Sequence, residues 1–223
     1  MNTNKPFDST LPSGSTTQAT KPATHLATHL IRKQMKDLFV AQSAKPKHLA
    51  EVNLTRLTPF QRVLLVTDGT VTRSIEAYTL SPVEVVVLDQ ERQTLPTPHD
   101  WLELPAGAEI VVRQVVLQTR PKGDEQPTIH TYATSLIVPQ RLPQIIKEGL
   151  EVDGEGLGVL LRRGELETRR DLLWCGLEHL ERVPEAIGHL AGESVLSRTY
   201  RIVSDGEPLM LINERFPLGA TEQ

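Results

Sequence analysis

Apolar and polar positions alternate along residues 108–119, AEIVVRQVVLQT, in the two-residue period of a strand. Val111, Arg113, Val115 and Leu117 share one face of that strand. The other face, Ile110, Val112, Gln114 and Val116, is nearly as apolar, so cover is expected on both sides. Arg113 breaks the pattern. A cation in such company must lie in a pocket, pair with an acid, or carry its head out to solvent along an apolar stem. Residues 209–216, LMLINERF, hold the matching oddity: Met210, Ile212 and Phe216 share a face with one carboxylate, Glu214. Two readings follow. Arg113 and Glu214 form a buried ion pair, close to neutral for stability, or they line a pocket for an anion. For Glu214, burial among apolar neighbours favours the neutral acid, whereas Arg113 nearby would favour the carboxylate.

Residues 1–24 are rich in Ser, Thr, Pro, Gly and Gln, with almost nothing to bury, and predict a disordered tail. The tail is also basic and nearly free of acids, which overlaps with organellar transit peptides. In the segment 25–49, Leu26, Leu30, Ile31, Met35 and Leu38 recur at helical spacing, predicting an amphipathic helix over 25–41 and a linker. A domain over 50–217 follows, with a short C-terminal tail at 218–223. Thr58-Pro59 starts a helix that Asp68-Gly69 stops. Thr70 or Thr72 then caps a second helix through Ser74, Ile75 and Tyr78. Strands are predicted at 83–90, 109–119 and 130–138, the last two separated by the polar loop PKGDEQP (121–127). A helix is expected over 139–149, then a glycine-rich turn and a short helical piece within DGEGLGVLLRRG (153–164). Strands at 166–175, 195–203 and 209–216 complete the chain, the last pair joined by the hairpin turn SDGE (204–207). Six strands with helices clustered between groups of them predict an α+β fold, a single six-stranded, mostly antiparallel sheet with helices packed on it.

Composition narrows the chemistry. With 223 residues, 39% hydrophobic, 23% charged and a formal net charge of −4, the chain has no general pull toward nucleic acid or membrane. No apolar run approaches the length of a membrane span. A single cysteine, Cys175, rules out an intrachain disulfide and a multi-cysteine zinc site. Gly154, Gly156 and Gly158 follow a helix, and no Gly-Lys-Ser/Thr accompanies them, against a phosphate loop. The seven histidines lack ligand spacing. No Gly-x-Ser-x-Gly element occurs, and Cys175 sits among Leu173, Trp174 and Leu177 like a packed apolar residue. No cofactor and no metal are therefore expected. Two dibasic pairs remain, Arg162-Arg163 and Arg169-Arg170. On a strand only one of Arg169 and Arg170 can point inward, and solvated charge is the plain reading of both pairs.

LTPFQRVLLVTDGTVTRSIEA (57–77), VVRQVVL (111–117), GLGVLLRRGELETRRDLLW (156–174) and SRTYRIVSDGEPLMLINERFP (197–217) together resemble the chorismate pyruvate-lyase family, in particular its cyanobacterial and mycobacterial branch. The resemblance spans about residues 50–217. It implies an enzyme that eliminates pyruvate from chorismate and leaves 4-hydroxybenzoate, a precursor of quinones such as plastoquinone or of phenolic lipids. It also implies a six-stranded antiparallel sheet that encloses the ligand under helical flaps. On it, Arg113 grips the ring carboxylate and Glu214 lies near the ring hydroxyl, the two being the catalytic pair. Leu157 supplies a backbone contact from one flap. Thr70 and Val71 stand where other members of the family carry a methionine flap residue. Arg169 joins them as a substrate-binding candidate. The implied partners are chorismate and 4-hydroxybenzoate, for a cytoplasmic monomer, or a plastid protein if the tail is a transit peptide. The competing function is a noncatalytic effector domain of the same fold that senses small acids. Such domains normally follow a DNA-binding helical domain, for which residues 1–50 are too short and too polar.

Overall fold

The computed structural model describes residues 33–35, 37–120, 126–151 and 156–219. The predicted tail, most of the helix expected over 25–41 and most of the polar loop at 121–127 lie outside the described residues. Within them, six strands form one sheet: β1 (Glu84–Thr94), β2 (Glu109–Thr119), β3 (Thr128–Ile137), β4 (Arg169–His179), β5 (Ser194–Ser204) and β6 (Glu207–Pro217). Their order is β1-β2-β3-β6-β5-β4, and each neighbouring pair is antiparallel. The α+β expectation holds; β2, β3, β5 and β6 lie within two residues of their expected bounds, whereas β1 runs on to Thr94 and β4 covers Arg169–His179 in place of 166–175. The β5–β6 hairpin turns at Asp205 (φ 49°) and Gly206 (φ 83°), two residues with positive φ, as a two-residue turn between right-twisted strands requires.

Among the described residues after 50, four α-helices pack on one face. The first, α1 (Pro59–Val66), begins with a reciprocal cap: Thr58 Oγ1 accepts from the Gln61 backbone N–H, and Gln61 Oε1 accepts from the Thr58 N–H. Then come α2 (Val71–Thr79), α3 (Gln144–Leu150) and α4 (Leu157–Arg163). The single helix expected over 139–149 is instead a 3-10 turn, Pro139–Arg141, followed by α3. Pro143 divides them, because it has no N–H to donate and disfavours a helical residue before it.

The core lies between these helices and the sheet, where Leu65 and Ile75 meet Ile202, Met210 and Phe216. The opposite face is covered in patches, by the turn Glu185–Leu190 over Val116 and Val195, and by Trp101 and Leu49 against Trp174. Residues 40–50 finish the β4 edge. The Val40 and Ala41 N–H groups donate to Leu172 and Leu173 O, and Ala50 exchanges both backbone bonds with Leu177. Gln42 completes the run as a peptide would, donating to Cys175 O (2.8 Å) and accepting from Cys175 N–H (2.9 Å). A strand edge left open would invite pairing with another chain.

Candidate active site

Register fixes which side chains meet. Antiparallel pairing sets Arg113, Ser135, Ile212, Tyr200 and Leu172 in one row across five strands. Val115, Ala133, Glu214, Arg198 and Cys175 form the next row, and Val111, Ile137, Met210, Ile202 and Arg170 the row on the other side. All three rows face the helices. Over them lies a cavity of about 620 Å³, within the usual range for small-molecule sites. Its floor carries Arg113, Ser135, Tyr200, Ile212 and Glu214, and its walls include Val83 to Val86 of the β1 side.

The roof has two halves. One is the start of α2, Gly69 to Arg73; the other is the start of α4, Gly156 to Arg162. They touch at Thr70 and Gly158, where a Cβ on Gly158 would stand 2.9 Å from Thr70 Cγ2. Glycine is needed there for close approach. Arg162 Nη1 also donates to Thr70 Oγ1 (3.3 Å), tying one half to the other.

Thr70, Val71, Arg113, Leu157 and Glu214 all line this one cavity. Arg169 does not. Its side chain is 67% exposed and pairs with Asp171 at 2.7 Å on the opposite face of β4. Arg170 takes the inward position beside Ile202. Sequence alternation could not choose between the two, because Leu172 and Leu173 are both apolar and the register shifts between Leu172 and Trp174.

Arg113 and Glu214 share the cavity floor but stand two strands apart, with β3 between them. Glu214 instead pairs with Arg198, a residue outside the sequence-based expectations. Arg198 Nε donates to Glu214 Oε2 (2.8 Å) and Nη2 lies 2.7 Å from the same oxygen. Arg198 is 0% exposed and Glu214 6%. The guanidinium also donates to Thr67 O (2.8 Å) and Leu65 O (3.3 Å), carbonyls at the end of α1 that have no helical partner. Arg198 thus fastens Glu214 to the stem of the α2 half of the roof. Its signal was present in the sequence: Leu196, Arg198, Tyr200 and Ile202 alternate as an apolar face with one cation, like Arg113 in its strand.

Tyr200 Oη donates to Glu214 Oε1 (3.2 Å). Burial, reinforced by the neighbouring Glu214 charge, pushes the Tyr200 hydroxyl far above its ordinary range, so it stays a donor. Glu214 therefore faces the cavity with Oε2 held by the Arg198 guanidinium and Oε1 by the Tyr200 hydroxyl, Oε1 keeping a lone pair to spare. Among the described residues no group of three or more His, Cys, Asp or Glu is placed to hold a metal ion.

The sequence model described as chorismate pyruvate-lyase Rv2949c-like matches residues 65–223. The chain belongs to this family of chorismate pyruvate-lyases. The match includes both roof halves and all six strands. The chorismate pyruvate-lyase of Mycobacterium tuberculosis (strain H37Rv) is 25% identical over 179 residues, covering 75% of this chain and 84% of that protein. That of Mycobacterium leprae is 25% identical over 170 residues, covering 75% and 79%. Among solved structures, the effector domain of PhnF from Mycobacterium smegmatis has a TM-score of 0.51 at 11% identity, over 67% of this chain and 88% of that one. That likeness concerns the fold alone.

Proposed function

We propose that this chorismate pyruvate-lyase family member is itself a lyase that converts chorismate to 4-hydroxybenzoate and pyruvate. One observation carries the reading: Arg113 and Glu214, each alone of its charge on its strand face, line the floor of one roofed cavity. Arg113 offers a planar fork for the ring carboxylate. Glu214 lies two strands away on the same floor, and in this reading the hydroxyl end of the ring is turned toward it.

Chorismate is a diene one elimination short of aromaticity. The ring C–H on the hydroxyl-bearing carbon gives up its proton, and its electrons form the last ring double bond. The adjacent ether C–O bond breaks, and enolpyruvate leaves with that electron pair and is protonated to pyruvate. The atoms balance without a further reactant. In this scheme Glu214 takes the ring proton. Arg198 and Tyr200 hold it in position, and Arg113 fixes the ring so that the C–H meets the carboxylate. Glu214 and Tyr200 are themselves buried, which strengthens these contacts.

Arg113→Lys tests the anchoring role. The charge is kept and the fork is lost, so 4-hydroxybenzoate affinity measured by titration calorimetry should fall by about 1–3 kcal/mol in a folded variant. Unchanged affinity would remove Arg113 from the ligand and leave it a packing role.

A further inference from the structure

We propose that Arg170 binds a second carboxylate, so that the cavity takes a dicarboxylate with its acid groups held at opposite ends by Arg113 and Arg170. The inference rests on the chorismate reading and adds the group that recognises the part of the substrate that leaves.

Arg170 is on β4 and Arg113 on β2, at the two flanks of the cavity floor. Four strand spacings, about 19 Å of backbone, separate them. Two arginine side chains reaching inward leave between them the span of a small ring with two acidic arms. Arg170 Nη1 donates to Asp68 O (2.7 Å), which holds the guanidinium against the α2 half of the roof. Its Nε is buried with no acceptor among the described residues. A buried donor left unmade is costly, so an acceptor supplied by a ligand would relieve it.

No described acid of the lining is available to Arg170. Glu76 pairs with Arg73 (3.0 Å), Glu84 with Arg120 (2.7 Å) and Glu214 with Arg198 (2.7 Å). The position also suits the geometry of the substrate. The enolpyruvyl ether is borne on the carbon next to the hydroxyl-bearing one, so its carboxylate projects sideways from the Glu214 end of the ring. Arg170 lies on that side, close enough for its charge to be felt at the Tyr200 hydroxyl that donates to Glu214. 4-Hydroxybenzoate has no such arm. Arg170 would then hold substrate and release product, as differential binding requires.

The test compares two ligands on the full chain by titration calorimetry: 4-hydroxybenzoate, with one carboxylate, and 3-(carboxymethoxy)-4-hydroxybenzoate, an unreactive aromatic ether with two. Arg170→Gln should weaken the dicarboxylate by roughly tenfold or more while leaving 4-hydroxybenzoate within about threefold. Arg170→Lys should recover part of the loss. If Arg170→Gln does not fold, Arg170→Lys alone decides, because it keeps a charge under the roof but loses the fork. Equal weakening of both ligands would overturn the proposal and leave Arg170 an anchor for Asp68. No weakening of either would overturn it too. Wild-type chorismate turnover separates the two readings: if it is absent while the dicarboxylate preference persists and depends on Arg170, the lyase reading falls and the second-carboxylate site stands. Wild-type protein that binds neither ligand would end both.

Discussion

Arg198 and Glu214 form a buried pair whose loss should be asymmetric. Removing one partner strands a charge away from water, so Arg198→Met should destabilise the fold by about 3–5 kcal/mol in urea denaturation. Removing both, Arg198→Met with Glu214→Leu, should restore most of that stability. Turnover should not return with it, because a residue pair kept only for packing can be replaced whereas a base cannot. Recovery of both stability and turnover in the double variant would reduce the pair to a structural device. At this scale the sequence was half legible. Alternation exposed Arg113 and Glu214 as charges on apolar faces, and it held Arg198 by the same rule. It could not say which cation reaches Glu214, since strand order is not written in the period of any one strand. The partner turned out to come from the adjoining strand β5 instead of from β2, two strands away.

The short helices α2 and α4 meet over the cavity, and ligand exchange is expected to part them. Their contact is narrow, because a Cβ at residue 158 would meet Thr70 Oγ1 at 3.0 Å and Cγ2 at 2.9 Å. Gly158→Ala should wedge the roof at an overpacking cost of ~1–3 kcal/mol and speed 4-hydroxybenzoate dissociation severalfold in stopped-flow measurements. Adding Thr70→Ala should slow it again by clearing the space. A Gly158→Ala variant with unchanged dissociation would show that the contact does not gate the cavity. The sheet strands carry a different sensitivity. His130 on β3 is partly buried, with Nε2 2.8 Å from Thr119 Oγ1, and burial pushes its imidazole below the ordinary value of 6.5. The unfolded chain keeps the ordinary value and binds the proton first as pH falls. Stability should therefore be level above pH 6.5 and decline as pH drops through that value toward the lower folded one. Comparing urea midpoints across this range, His130→Gln should show a shallower decline than the parent protein. Helix positions were legible from caps and breakers, Thr58-Pro59 above all. The split at Pro143 and the 3-10 turn at Glu185–Leu190 were not, because apolar spacing through 139–149 outlasts the helix and 185–190 is too short for a period.

The whole molecule places its charged pocket on the helix-covered face of one open sheet and uses residues 40–50 to close the β4 edge. Fold class and strand positions could be read from the sequence, because two-residue alternation and turn chemistry act locally. Of the pocket, alternation marked Arg113 and Glu214, whereas Leu157, Thr70 and Val71 came only through the family resemblance. The closing of the β4 edge could not be read, since Gln42 finds Cys175 across 133 residues by imitating a peptide group. Nor could the choice of Arg170 over Arg169. Chorismate conversion by the intact chain tests the central claim most directly. Purified protein incubated with chorismate should release pyruvate and 4-hydroxybenzoate in equal amounts, well above the uncatalysed rate. Glu214→Gln should retain 4-hydroxybenzoate binding and lose most of the turnover, by roughly 10²–10⁴-fold if the carboxylate is the base. Parent-level turnover in that variant would exclude Glu214 as the base. Intact protein that binds 4-hydroxybenzoate yet leaves chorismate unchanged would contradict the lyase and leave a small-acid binding domain in its place.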